Sequence, residues 1–114
     1  DDPQSNPAIE QQIKELIVNG AFKVEVDPQL GLKIARCESH FRQIDDKTGE
    51  VLRGIHNPKD VGVFQINETY HLEEAKKLGF DIYTLEGNVG YAMHILERDG
   101  ARHWNWSKPC WGNK

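Results

Sequence analysis

The residue best placed to do chemistry is Glu38. It follows Ile34 by four residues in a segment that opens on Asp27-Pro28, at the edge of an apolar stripe of Leu30, Ile34, Cys37 and Phe41. A carboxyl beside such a stripe is partly desolvated, and the last turn of a helix is the negative end of its dipole. Both effects disfavour ionisation and raise a Glu pKa. A carboxylic acid that keeps its proton near neutral pH is what general acid catalysis requires. The bland alternative is a surface Glu in a salt bridge.

The other reactive side chains are few. Cys37 and Cys110 are too few for a zinc cage and too far apart for a C-x-x-C redox motif. The preferred reading is one disulfide joining the start and end of the domain, worth about 4 kcal/mol in the chain-entropy model and implying an oxidising compartment. Two buried free thiols are the alternative. His40, His56, His71, His94 and His103 lack metal-ligand spacing, and His71-Leu-Glu-Glu74 reads as helix surface. The acidic stretch Asp45–Glu50 lacks the alternating ligands and distal Glu of an EF-hand and reads as a solvated turn. No metal or cofactor is expected.

The elements that must position Glu38 follow from periodicity. Residues 1–6 read as a polar tail, and residues 7–114 as one domain. A first helix is predicted from about Pro7, with Ile9, Ile13, Leu16 and Ile17 on one face, ending near Asn19-Gly20. A short extended piece over Phe22–Val26 leads to Asp27-Pro28, where Asp caps free amides and Pro needs no amide partner. This second helix runs to about His40. From Arg42 to Ile66 the helical period is lost, and turn chemistry predicts a small β-hairpin or three-stranded lobe. Helices over about Thr69–Leu78 and from Thr84 to Asp99-Gly100 follow, the latter with Leu85, Val89, Met93 and Leu96 on one face. Gly87 and Gly90 within it suit close backbone packing or access for a ligand. An aromatic-rich segment, Trp104-Asn-Trp106-Ser-Lys-Pro-Cys110-Trp111, closes the chain.

At 114 residues the chain can bury about two-thirds of its unfolded surface around a single core. No apolar run approaches the roughly 20 residues of a membrane span. With 14 basic and 18 acidic residues and no basic stripe, nucleic-acid binding is disfavoured. The start at Asp1, without Met or an apolar leader, suits a processed secreted protein or a trimmed chain.

Three segments, in order, resemble the lysozyme-like superfamily. Ile34-Ala-Arg-Cys-Glu38-Ser39-His-Phe41 resembles the catalytic helix end of SLT-type lytic transglycosylases and lysozymes. Asp60-Val-Gly62-Val-Phe64-Gln65-Ile66-Asn67 is similar to the Asp-x-Gly-x-x-Gln-Ile-Asn block of animal-type lysozymes and secretion-system transglycosylases. Asn88-Val-Gly90-Tyr91 resembles the Asn-Ile-x-x-Gly pattern on the next helix of SLT domains. The match spans about residues 27–111. It implies an α+β, mainly α, lysozyme-like fold, with a helical lobe and a small β-hairpin lobe flanking a glycan cleft.

The resemblance also implies a chemistry. Glu38 would protonate the oxygen of the β-1,4 bond between N-acetylmuramic acid and N-acetylglucosamine in peptidoglycan. Asp60 stands where animal-type lysozymes carry a second Asp. About 5–5.5 Å from Glu38 it would support a retaining hydrolase, whereas a lytic transglycosylase uses the substrate's own 6-hydroxyl, and a plain turn residue is the third option. Asp45 and Asp46 are weaker candidates. Substrate contacts are expected from Ser39, Gly62, Gln65 and Asn67, with Gln65 and Asn67 alternatively satisfying strand ends. The Tyr-Asn-Ala-Gly segment of SLT domains is missing. Tyr91 would supply its hydroxyl, or Trp104 or Trp106 an apolar wall against Glu38, with at least one Trp in the core. The Cys37–Cys110 pairing matches the way lysozymes tie the catalytic helix to the C-terminal segment. The expectation is a secreted, periplasmic or cell-wall-associated monomer acting on peptidoglycan strands, as a transglycosylase ahead of a muramidase. A non-catalytic glycan-binding module and a chitin-directed glycanase are the competitors.

Overall fold

The computed structural model describes residues 6–112. The proposed polar tail therefore lies outside the described residues, except for Asn6. Asn6 is not tail but the N-cap of α1 (Pro7–Lys23), its side chain accepting from the amides of Ala8 and Ile9. The helix does not stop at Asn19-Gly20. Gly20 stays helical because α4 passes so close that a Cβ there would lie 3.1 Å from Met93 Cγ. Ala21, one residue on, is fully buried. The expected extended piece is thus the last helical turn plus a tight exit, in which Val26 N–H returns to the Ala21 carbonyl and Glu25 takes a positive φ.

Helix α2 (Pro28–Ser39) begins as its sequence predicts, with Asp27 accepting from Gln29 N–H at 2.9 Å. Such a cap is worth about 1 kcal/mol. Its buried face is Gly31, Ile34, Ala35 and Ser39, rotated somewhat from the predicted stripe. The helix ends where His40 and Phe41 both enter the left-handed region, φ 55° and 61°. That reversal drops Phe41 into the core and turns the chain toward the β lobe.

The β lobe is thin. β1 (Asp60–Val61) pairs antiparallel with β2 (Ile66–Asn67), in register Asp60 to Asn67 and Val61 to Ile66. Single bridges, Ile44 to Val51 and Arg53 to Val61, add two further extended segments alongside. The acidic turn is self-satisfied: the Asp45 carboxylate accepts from the amides of Lys47 and Thr48.

Helices α3 (Glu68–Lys77) and α4 (Leu85–Asp99) lie within a residue of expectation and are capped by Asn67 and Thr84. α4 is not amphipathic in the predicted sense. It is buried almost all round between Gly87 and Leu96, as befits the central helix of a bundle. Gly87 and Gly90 serve packing: a Cβ at Gly87 would overlap the Asp81 carbonyl, and one at Gly90 would lie 2.7 Å from the Phe80 ring. Ile13 and Ile17 of α1, Ile34 of α2 and Val61, Val63 and Phe64 of the β lobe complete the core around it. Each is worth about 1.5–3 kcal/mol by burial. A 3-10 segment (Gly100–Ser107), kinked at Trp104, leads into the short α5 (Lys108–Trp111). The architecture is mainly helical with a small two-stranded antiparallel sheet.

Candidate active site

A cleft of about 790 Å³ runs between the extended segments and the faces of α2, α4 and the 3-10 segment, and Glu38, Asp60, Gln65, Asn67, Trp104 and Trp106 all line it. A smaller cavity of about 300 Å³, against Ile9, Ile13, Phe41 and Ile44, contains neither Glu38 nor Asp60.

Glu38 sits half-buried in the last turn of α2. Loss of solvation is the largest influence on its carboxyl and pushes the pKa above the ordinary range. The Ser107 hydroxyl, donating to Oε2 at 2.5 Å, partly opposes this, and the negative charge of Asp60 adds to the rise. Ser107 Oγ also lies 3.2 Å from the Trp104 carbonyl. A hydroxyl has one proton and two lone pairs. With Glu38 ionised, that proton goes to the carboxylate. With Glu38 protonated, the acid can donate to Oγ while the Ser proton turns to Trp104. One residue thus holds both protonation states in place.

Ser107 is brought there covalently. The disulfide Cys37–Cys110, Cα to Cα 6.1 Å, joins the residue before Glu38 to a residue three beyond Ser107. No residue of α5 is buried, so the crosslink is a main tether of this terminus to α2.

Asp60 opens β1 and is also raised above its ordinary range by desolvation, opposed by Asn67 Nδ2, which donates to its Oδ1 at 3.1 Å. A desolvated acid with one fixed hydroxyl donor, and a second carboxyl in the same cleft, can deliver a proton to a leaving oxygen and stabilise positive charge nearby.

The chain matches no protein-family model, no curated protein and no solved structure.

Several expected contacts fall elsewhere. Gly62 is buried at φ 76°, where a Cβ would lie 2.4 Å from Asn88 Nδ2 and 2.6 Å from Gln43 Oε1. Its missing side chain makes room for two buried amides, and it does not line the cleft. Those amides clamp the turn over residues 62–65. Gln43 accepts from Val63 N–H, and Asn88 accepts from Phe64 N–H while donating to the carbonyls of Val61 and Ile82. Ser39 is buried, donating to the Ala35 carbonyl and accepting from Arg42 N–H, so it terminates the helix and does not line the cleft. Tyr91 is buried away from Glu38, with its hydroxyl between Glu74 and His71. The hydroxyl that touches Glu38 is that of Ser107.

Gln65 lines the cleft at φ 50° and donates to the Gly62 carbonyl at 3.0 Å. Asn67 caps α3 through Tyr70 N–H while holding Asp60. Trp104 is the core tryptophan, donating to the Phe64 carbonyl at 2.8 Å, with part of its ring on the cleft wall. Trp106 is 91% exposed at the cleft edge, a free aromatic face. His71 is not surface: it is half-buried and lines the cleft beside His103. Among the described residues, no group of three or more His, Cys, Asp and Glu is arranged to hold a metal ion.

Sequence reasoning missed Ser107, 69 residues from its partner, although its position three before Cys110 was a usable signal once the disulfide was assumed. It also missed Gln43, whose role appears only when the β lobe folds back.

Proposed function

We propose that this protein cuts the β-1,4 bond between N-acetylmuramic acid and N-acetylglucosamine in peptidoglycan, as a lytic transglycosylase with Glu38 as acid and then base. The observation that carries this reading is a half-buried carboxyl with a raised pKa, held by one hydroxyl in a cleft of about 790 Å³. Glu38 gives its proton to the departing O4 of N-acetylglucosamine as the C1–O4 bond breaks through an oxocarbenium-like state. The resulting carboxylate takes the proton of the muramic acid 6-hydroxyl as O6 bonds to C1. The product is a 1,6-anhydro end, no water is consumed, and Glu38 regains its proton.

A second reading, a hydrolysing muramidase, is favoured by one observation: Asp60 lines the same cleft, and its charge reaches Glu38. Crosslinked cysteines fit a secreted, periplasmic or wall-associated enzyme. Incubation with purified sacculi and mass analysis of the released fragments tests both chemistries. Ends lighter by one water mean transglycosylase, and reducing ends mean hydrolase. Binding without release would leave a glycan-binding module and overturn the enzymatic reading.

A further inference from the structure

The cleft wall contributed by α3 and the 3-10 segment carries two histidines whose hydrogen bonds can be traced proton by proton. Tyr91 Oη lies 2.6 Å from Glu74 Oε1 and 2.7 Å from His71 Nδ1. A phenol has a single proton to give. Glu74 is ion-paired to Arg98, and Arg98 and Tyr91 together hold its carboxyl below the ordinary range, so Glu74 is an ionised acceptor and takes that proton. Tyr91 Oη must then accept from His71. This puts the His71 proton on Nδ1 and leaves a lone pair on Nε2.

His103 is oriented the opposite way. Its Nε2 lies 2.8 Å from Asp99 Oδ2, so Nε2 donates to that carboxylate. The two rings meet edge to face, with centroids 5.1 Å apart. Among the described residues, neither His71 Nε2 nor His103 Nδ1 bonds a protein group. No polar side-chain atom among the described, non-exposed residues is buried without a partner, so His71 Nε2 opens onto solvent. Both residues line the cleft. Burial, then the charge of His103, push the His71 pKa below its ordinary range. Arg98 acts in the same sense while Glu74 and Asp99 oppose it, and the ring is neutral at neutral pH.

His71 thus presents, on a ring that lines the cavity, one nitrogen that can only accept. A phosphate or carboxylate oxygen brings only an acceptor and cannot pair with that nitrogen. Two nitrogens also fall short of the three protein ligands of a catalytic zinc site. What fits is a neutral ligand rich in hydrogen-bond donors. We propose that His71, beside His103, forms a sugar-binding subsite of the cleft, accepting through its Nε2 from a hydroxyl or acetamido N–H group of an N-acetylhexosamine ring. The subsite rests on the glycanase reading and says where a sugar is held apart from the Glu38 contact. Glu74 acts behind it through Tyr91, fixing which nitrogen of His71 stays bare.

The test uses the full chain with labelled histidine and the tetramer of β-1,4-linked N-acetylglucosamine as probe. Long-range proton–nitrogen spectra of the free protein should show His71 protonated on Nδ1. Adding the tetramer to Glu38→Gln, which prevents turnover, should move the His71 Nε2 resonance. In otherwise wild-type protein, His71→Phe keeps a ring and loses the acceptor. It should weaken tetramer affinity about tenfold, the loss of one hydrogen bond, and raise KM on sacculi more than it lowers kcat. A His71 protonated on Nε2 in the free protein overturns the assignment whatever the activity. So does tetramer affinity within twofold of wild type in a folded His71→Phe that still releases muropeptides, an outcome that leaves the glycanase reading intact. Failure of the wild-type chain both to bind the tetramer and to act on sacculi removes both together.

Discussion

The double substitution Cys37→Ala/Cys110→Ala probes fold and site at once. The crosslink joins residues separated by 73 positions. In the chain-entropy model, a loop of that size removes about 15 cal/mol/K from the unfolded ensemble, or about 4 kcal/mol at 25 °C. For a domain whose total stability is about 5–15 kcal/mol, this is a large share. With a urea m-value of about 1–3 kcal/mol/M, the unfolding midpoint should fall by more than about 1 M. The loss should also be felt locally. No residue of α5 is fully buried, and what remains of its attachment includes the partly buried Trp111, packed against the core, with its 3.0 Å bond from Nε1 to the Trp104 carbonyl. Ser107 then donates less firmly to Glu38, and the carboxyl, freed from its one downward influence, titrates at higher pH than in the wild type. Urea melts followed by tryptophan fluorescence give the first readout, and carbon-13 titration of the Glu38 carboxyl gives the second. A midpoint within about 0.3 M of wild type, with an unmoved titration, would refute both the energetic estimate and the tethering role.

Three further outcomes are expected. Because the folded pKa of Glu38 lies above its unfolded value, wild-type stability is fully present below the ordinary Glu range and declines as pH rises through the raised folded value. Glu38→Gln should therefore be more stable than wild type by about 0.5–2 kcal/mol in mildly alkaline buffer, with the gain fading in acid, and a pH-independent difference in urea melts would contradict this. Ser107→Ala removes a donor to the carboxylate, so the alkaline limb of the kcat/KM profile should move to higher pH, and an unmoved limb speaks against the contact. Gly62→Ala must hold a side chain at positive φ and displace Gln43 and Asn88, so a loss of about 2–4 kcal/mol by thermal or urea melting is expected, while a near-neutral result would show the amide clamp to be dispensable.

What could be read from the chain was mostly local. Asp27-Pro28 sets the start of α2, and the spacing from Ile34 puts Glu38 beside its buried face. Those relations need only helical geometry. The Cys37–Cys110 pair was accessible through cysteine arithmetic, with free thiols as its competitor. Errors arose where a distant element decided the outcome. Gly20 read as a stop because the approach of Met93 is invisible in local sequence. Gly62 read as a substrate contact because Gln43 and Asn88, which fill the space beside it, come from 19 residues before and 26 after it. Tyr91 was one candidate to supply a hydroxyl to Glu38, but α3 supplies Glu74 and His71 to claim it. His71 was dismissed as surface, since its burial depends on α3 packing against α4 and the 3-10 segment.

The most direct measurement is muropeptide release from purified sacculi by wild type and Glu38→Gln side by side, with folding and tetramer binding checked in both. Removing the proton donor should cut release by at least about a hundredfold while binding persists. Release by the folded Gln variant within tenfold of wild type would show that the bond is broken without Glu38.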